Sequence, residues 1–194
     1  ALAPWTPASS ASEPKAAVLR HRNLASYILS TVEFAGAGED ETAIISVPPY
    51  HIAGLAAILT SVYAGRRIVQ LANFDPVEWV RLAREQDVTH AMVVPTMLAR
   101  IVDVLQDGKG LPALRHLSYG GGRMPVEVIQ RAMVMLPDTG FVNAYGLTET
   151  SSTIAVLGPD DHRDALGSDD PDVRRRLGSV GRPSPRLSSA HEHR

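Results

Sequence analysis

An alternation along the chain constrains its fold more than any other feature. Short apolar, β-prone runs at residues 43–47, 67–71, 90–94, 115–119 and 141–144 are separated by segments with helical spacing, and a further strand is expected at 153–157. Strand and helix in strict alternation make βα units, which close a sheet only by running its strands parallel. The pattern therefore predicts an α/β fold, a largely parallel β-sheet flanked by helices.

The intervening helices carry their own signals. Asp75-Pro76-Val77-Glu78 combines an N-cap, a proline at the first helical position and a carboxylate at the third, and predicts a helix to about Gln86. Thr96 is expected to cap the next helix, in which Leu98, Ile101, Val102 and Leu105 form one apolar stripe before Asp107-Gly108 ends it. Further helices are expected at 55–63, from Pro125 to about Met135, and near the start, where Leu24, Ile28 and Val32 follow helical spacing with Gly36 as the stop. Residues 160–176 are strongly polar, with Arg174-Arg175-Arg176 balanced by nearby aspartates, and read as an exposed loop. The Ala-, Ser- and Pro-rich residues 1–12 read as a flexible terminus, 13–183 as the domain and 184–194 as a disordered tail.

Composition excludes several classes. The 194 residues fit one domain, and a net charge of -2 argues against a nucleic-acid partner or an anionic membrane surface. No apolar run approaches the roughly 18 to 20 residues of a membrane span. The absence of cysteine rules out disulfides and thiolate metal sites and fits a reducing cytoplasm. No basic region followed by an apolar core opens the chain, so no signal peptide is expected. His191-Glu192-His193 reads as tail and not as a metal site.

Three motifs follow predicted strands. Asn143-Ala144-Tyr145-Gly146-Leu147-Thr148-Glu149-Thr150 puts an aromatic ring, a glycine, a hydroxyl and a carboxylate in one loop. Such a set can stack a base, admit a phosphate to the backbone, bond an oxyanion and hold a divalent cation. Tyr119-Gly120-Gly121-Gly122 removes every Cβ from a strand-to-helix turn and so permits backbone contact with a planar base or ribose. Pro48-Pro49-Tyr50-His51-Ile52-Ala53-Gly54 leads from a strand into the apolar helix at 55–63.

In this order and rough spacing the motifs resemble the adenylate-forming (AMP-binding) superfamily, which includes acyl- and aryl-CoA synthetases, luciferases and peptide-synthetase adenylation domains. The resemblance covers residues 13–183, a middle portion of the large N-terminal domain of such enzymes. It implies a ligase that activates a fatty or aryl carboxylic acid as acyl-adenylate, with ATP, Mg²⁺ and coenzyme A. It further implies Tyr145 against adenine, Thr148 on phosphate and Glu149 on Mg²⁺, with Thr148, Glu149 and His51 catalytic. Lys15, Gly120, Gly121, Gly122, Asn143, Ala144 and Gly146 would join Tyr145 and Thr148 around the nucleotide, and Tyr50, His51, Gly54 and Thr96 would line the acyl pocket.

The departures are as specific. Glu13-Pro14-Lys15 retains the end of the family's phosphate loop, but Pro7-Ala8-Ser9-Ser10-Ala11-Ser12 lacks the glycines expected before it, and impaired pyrophosphate handling follows. Arg123-Met124 stands where the family often has Pro-Leu after an alanine. Gly178–Pro183 matches the segment before the family's ribose-binding aspartate, while that aspartate, the hinge and the catalytic lysine find no counterpart. Two alternatives to an active ligase therefore stay open. One is a catalytically inert nucleotide- or adenylate-binding remnant. The other is a subunit that self-associates or is completed by another chain through exposed apolar surface.

Overall fold

A computed structural model describes residues 17–184 of the chain. The element order is α1 (His21–Thr31), β1 (Thr42–Ile45), α2 (Ile52–Ala64), β2 (Arg67–Gln70), α3 (Pro76–Glu85), β3 (His90–Val93), α4 (Pro95–Val104), β4 (His116–Tyr119), α5 (Val126–Met135), β5 (Gly140–Leu147), β6 (Ser152–Leu157), α6 (Pro159–Gly167), α7 (Pro171–Arg174) and β7 (Arg182–Pro183). The strands form one seven-stranded sheet in the order β2-β1-β3-β4-β5-β6-β7. Strands β1 to β5 pair in parallel, and β6 and β7 continue the sheet antiparallel. Among the described residues no helix is long and apolar enough to cross a membrane.

The core lies between one face of this sheet and helices α3, α4 and α5. Alternate strand residues Val93, Leu117, Tyr119 and Phe141 meet Trp79 and Val80 of α3, Leu98, Ile101 and Val102 of α4, and Ile129 and Ala132 of α5. The expected stripe of α4 is buried throughout, including Leu105 in the short 3₁₀ turn that closes the helix before Gly108. Helix α2 sits on the other face and is backed by α1. Its start depends on Gly54, since a Cβ there would lie 2.3 Å from the Pro48 carbonyl oxygen.

Local chemistry sets the helix ends. The Asp75 side chain accepts from the Glu78 N–H at 2.9 Å, as the capping pattern predicts. Thr96 does not cap α4. Pro95 takes the first helical position, where its missing N–H costs nothing, so Val94 becomes the cap and its carbonyl accepts from Met97 and Leu98. Helix α1 ends at Thr31, with Val32 already extended, well before Gly36.

The polar stretch 160–176 is the largest difference from expectation. It contains α6, α7 and a 3₁₀ turn at Arg175–Gly178 rather than an open loop. Pro159 with Asp160 and Asp161 makes a favourable helix start, and the few non-polar side chains suffice, because Ala165 and Leu177 are fully buried. Gly178–Pro183 leads into β7, which pairs with β6. Ser184, assigned to the tail, is buried, and its N–H donates to the Ile154 carbonyl at 2.8 Å. The expected flexible terminus 1–12 and the remainder of the tail lie outside the described residues.

His162 of α6 is fully buried and bonds at both ring nitrogens. Nδ1 lies 2.7 Å from the Gly158 carbonyl, which can only accept, so Nδ1 carries the proton. Nε2 then accepts from the Tyr119 hydroxyl at 2.8 Å, tying α6 to the end of β4. Replacing Tyr119 by Phe would leave Nε2 buried without a donor and is expected to cost about 1–3 kcal/mol in urea unfolding. An unchanged midpoint would mean that this bond contributes nothing to stability. Burial also holds the His162 pKa below its ordinary 6.5, so the unfolded chain binds that proton more readily than the folded one. This contribution is fully present above about pH 6.5 and is lost as the pH falls below it. His90 acts with the same sign, since burial and the nearby Arg66 push it down to about 4. Unfolding midpoints are expected to decline from pH 7 to pH 5, and a flat profile would contradict the buried neutral imidazoles.

Candidate active site

All three motifs lie at the carboxyl ends of the parallel strands, the edge at which open α/β sheets present ligand crevices. Strand β4 leads into Gly120–Gly122. A Cβ on Gly120 would come within 2.3 Å of the Ala144 carbonyl oxygen, so only glycine lets this turn lie against β5. Gly121 has φ +78°, in the left-handed region, where a Cβ would be strained and would lie 3.5 Å from the Val94 side chain that caps α4.

Strand β5 outruns its expected end at residue 144 because β6 returns along it as an antiparallel partner. The pairing bulges between Tyr145 and Gly146, where a Cβ on Gly146 would lie 1.9 Å from the Ser152 carbonyl oxygen. A bulge bends and twists its strand, and here Tyr145 stands 41% exposed at the rim. One strand turn back, Asn143 donates through Nδ2 to the Ser179 carbonyl at 2.9 Å. That bond holds segment 177–180 opposite the glycine turn. Between them is a cavity of about 330 Å³ lined by Gly120, Gly121, Gly122, Asn143, Ala144, Tyr145 and Gly146, with Arg123 and Ser179 also on its wall.

Thr148, Glu149 and Thr150 form a single 3₁₀ turn after β5. It is pinned by Thr150, whose hydroxyl oxygen accepts from the Leu147 N–H at 2.9 Å. Thr148 is buried and Glu149 is exposed. Neither lines the cavity, although the turn that carries them continues directly from its wall. Among the described residues no three His, Asp or Glu side chains converge as a metal site. A single exposed carboxylate still fits Mg²⁺ delivered on a nucleotide, because that ion is commonly held by one or two carboxylates together with phosphate oxygens and water.

A second cavity of about 310 Å³ lies between α2 and the sheet. Ile52, Ala53 and Ala56 line it from the helix, and Met92, Val142 and Ala144 from the strands. It shares Gly121, Ala144 and Gly146 with the first cavity, so the two adjoin along β5. Its far end, near the starts of the strands, is polar, with Arg66, His90 and His116.

The other sequence candidates stand around this pair of cavities. His51 is the N-cap residue of α2 and packs its ring 4.7 Å from that of Tyr50, which is exposed. It is the residues immediately after them, not Tyr50 and His51 themselves, that line the second cavity. Gly54 acts through the seating of α2. Thr96 is exposed on the first turn of α4 and lines neither cavity. Lys15 lies outside the described residues. Sequence reasoning missed the wall formed by 177–180 and the polar floor. The first could have been suspected from Gly178-Ser179-Val180-Gly181, and the second from two histidines that both open strands.

Comparison with known proteins shows the family and the fold. The family model described as AMP-binding enzyme matches residues 9–190. A 2-succinylbenzoate–CoA ligase from Bacillus licheniformis is 36% identical over 151 residues, covering 76% of this chain and 30% of that protein. A fatty acid–[acyl-carrier-protein] ligase from Streptomyces coeruleorubidus is 32% identical, covering 84% and 34%. Among solved structures, the o-succinylbenzoate–CoA synthetase of Bacillus subtilis in complex with its acyl-adenylate intermediate superposes with a TM-score of 0.74 at 26% identity, covering 93% of this chain and 34% of that one. The same synthetase has also been solved with ATP and magnesium ion. The chain thus spans about a third of the length of these relatives, and within that span its fold, motif order and sequence place it in the AMP-binding enzyme family.

Proposed function

We propose that this chain is the nucleotide- and acyl-binding portion of an ATP-dependent ligase that activates a fatty or aryl carboxylic acid as acyl-adenylate and passes it to a thiol such as that of coenzyme A. The observation that carries this reading is the meeting of the two cavities along Ala144 to Gly146. One is walled by bare glycine backbone and an aromatic ring, the other by aliphatic side chains. A mixed anhydride of an acid and a nucleotide needs these two environments side by side.

In this reading adenine lies between the Tyr145 ring and the Gly120–Gly122 backbone, with Asn143 fixing the opposite wall. The acid lies along α2 with its carboxylate toward Gly146. A carboxylate oxygen then forms a bond to the α-phosphorus while the bond to the bridging oxygen breaks, and pyrophosphate leaves with that electron pair. Thr148 donates to an oxygen of the phosphoryl group, and Glu149 holds Mg²⁺, which supplies charge neutralisation on the phosphate oxygens. His51 sits at the mouth of the acyl cavity beside the reacting carboxylate. Lys15 contributes a cation to the departing pyrophosphate.

A second reading is favoured by one observation. The segment 7–12 supplies serine where a phosphate-cradling loop needs glycine. An adenylate-binding protein that turns over slowly or not at all would keep both cavities and lose the cradle. The apolar, exposed Leu29, Phe34 and Val62 on α1, α2 and their connection support a further requirement, that additional protein covers this face.

Calorimetric titration of the chain with an acyl-sulfamoyl adenosine, a non-hydrolysable adenylate mimic, tests the binding claim. Tyr145→Ala is expected to weaken binding by roughly 5- to 150-fold, the usual range for losing one base-stacking ring. Equal affinity of the two proteins would remove Tyr145 from the adenine site. Gly120→Ala is expected to abolish binding, because its Cβ would be driven into the Ala144 carbonyl. A folded Gly120→Ala protein with full affinity would show that the glycine turn is not the nucleotide wall. Formation of acyl-AMP from acid and ATP separates the ligase from the inert binder.

A further inference from the structure

The turn that carries Thr148 and Glu149 is closed by the side chain of its last residue. Strand β5 ends at Leu147, β6 begins at Ser152, and these two residues form the final pair of their ladder. The Thr150 hydroxyl sits at that pair. Its oxygen accepts from the Leu147 N–H at 2.9 Å and stands 2.9 Å from the Leu147 carbonyl and 2.8 Å from the Ser152 carbonyl. Either carbonyl can take its one proton. The bond from the Leu147 N–H is the same in both cases, so the turn is closed from Leu147 to Thr150 whichever way the hydroxyl points.

The chain reverses within this closure at a steric cost. Ser151 has φ +58° and Ser152 φ +108°, consecutive positive values at residues that carry a Cβ. The Ser152 carbonyl oxygen is also the atom that a Cβ on Gly146 would meet at 1.9 Å, so the bulge on β5 leaves the reversal no slack. A strained path persists only where its surroundings over-determine it, and Thr150 supplies such a contact.

The closure fixes more than the backbone. A 3₁₀ turn sets successive side chains about 120° apart, and here Thr148 is buried while Glu149 is exposed. Any rotation of the turn therefore moves both side chains together. The walls around the base are set by other contacts, Gly120 against the Ala144 carbonyl and Asn143 on Ser179. Thr150 is itself exposed, so burial does not dictate where its hydroxyl goes.

On the reading that Thr148 meets phosphate and Glu149 holds Mg²⁺, we infer that Thr150 is a positioning residue of the magnesium–nucleotide site. Its hydroxyl fixes the rotation of the turn, so that the Thr148 hydroxyl and the Glu149 carboxylate address one metal-bound phosphate. Thr150 touches neither the base nor the metal. It governs the part of nucleotide affinity that depends on Mg²⁺ and leaves the part that comes from the base.

Calorimetric titration of the full chain with ATP, once in Mg²⁺ and once in EDTA, and with AMP tests this. In the unsubstituted chain Mg²⁺ is expected to strengthen ATP binding, and Glu149→Gln is expected to remove that gain. Thr150→Val keeps the branched shape and loses the hydroxyl. It is expected to cut the gain about tenfold, as losing a partner that orients a metal ligand does, with AMP affinity unchanged. Thr150→Ser keeps the hydroxyl and is expected to retain most of the gain. A gain that survives Thr150→Val in full, or that both Thr150 variants lose alike, would overturn the inference while leaving Glu149 as the magnesium ligand. An equal loss of AMP affinity in Thr150→Val would also overturn it, since the hydroxyl would then support the whole site. If Mg²⁺ gives the unsubstituted chain no gain, or Glu149→Gln keeps it, the reading of Glu149 fails and this inference fails with it.

Discussion

The closeness of two backbones at the carboxyl edge of the sheet governs everything at this site. Gly120 packs its Cα against the Ala144 carbonyl so tightly that a methyl group would overlap the oxygen. That contact sets the turn after β4 against β5, and the bulge at Gly146 then swings Tyr145 to the rim. Asn143, one residue from the contact, reaches across to Ser179 and fixes the facing wall. A flat group between these walls would meet glycine backbone on one side and the Tyr145 side chain at the rim. Beneath the turn, Tyr119 is clamped by His162, so the strand end that delivers the glycines is tied to α6 as well as to the core.

The fold was legible where the signal was local. Strands β1 to β4 and helices α3, α4 and α5 are declared by apolar periodicity, with Asp75 and Pro125 marking the starts of α3 and α5. The length of β5 was not, because residues 145–147 are held extended by β6 and have no apolar run of their own. Helices α6 and α7 were hidden by composition. Their segment is almost wholly polar, and the burial of Ala165 and Leu177 depends on packing that no sequence window contains. That the glycine turn and segment 143–146 line one cavity was legible because close backbone contacts force glycine at 120 and 146. Segment 177–180 was not, since its place opposite the glycine turn depends on a bond from Asn143 that is 36 residues away in sequence. The polar floor was missed for a related reason. Thr89, His90, Arg66 and Glu41 are unremarkable in sequence and gain meaning only when three strands set them side by side.

Helix α2 records the same dependence on context. It is apolar around its whole circumference, yet only Gly54, Ala56, Ser61 and Ala64 are buried. An amphipathic helix at the surface of a domain would have put charge on its outer side. Its inner side instead forms the aliphatic wall of the second cavity, through Ile52, Ala53 and Ala56.

The central claim is that adenine binds between Tyr145 and the glycine turn. Intermolecular nuclear Overhauser effects from the purine protons of AMP to the labelled chain measure this most directly. The account predicts cross-peaks from the base to the Tyr145 ring and to Gly121, with none to the α2 side of the second cavity. Cross-peaks to Ile52 or Ala56 in their place would put the base in the acyl cavity and contradict the assignment of both sites.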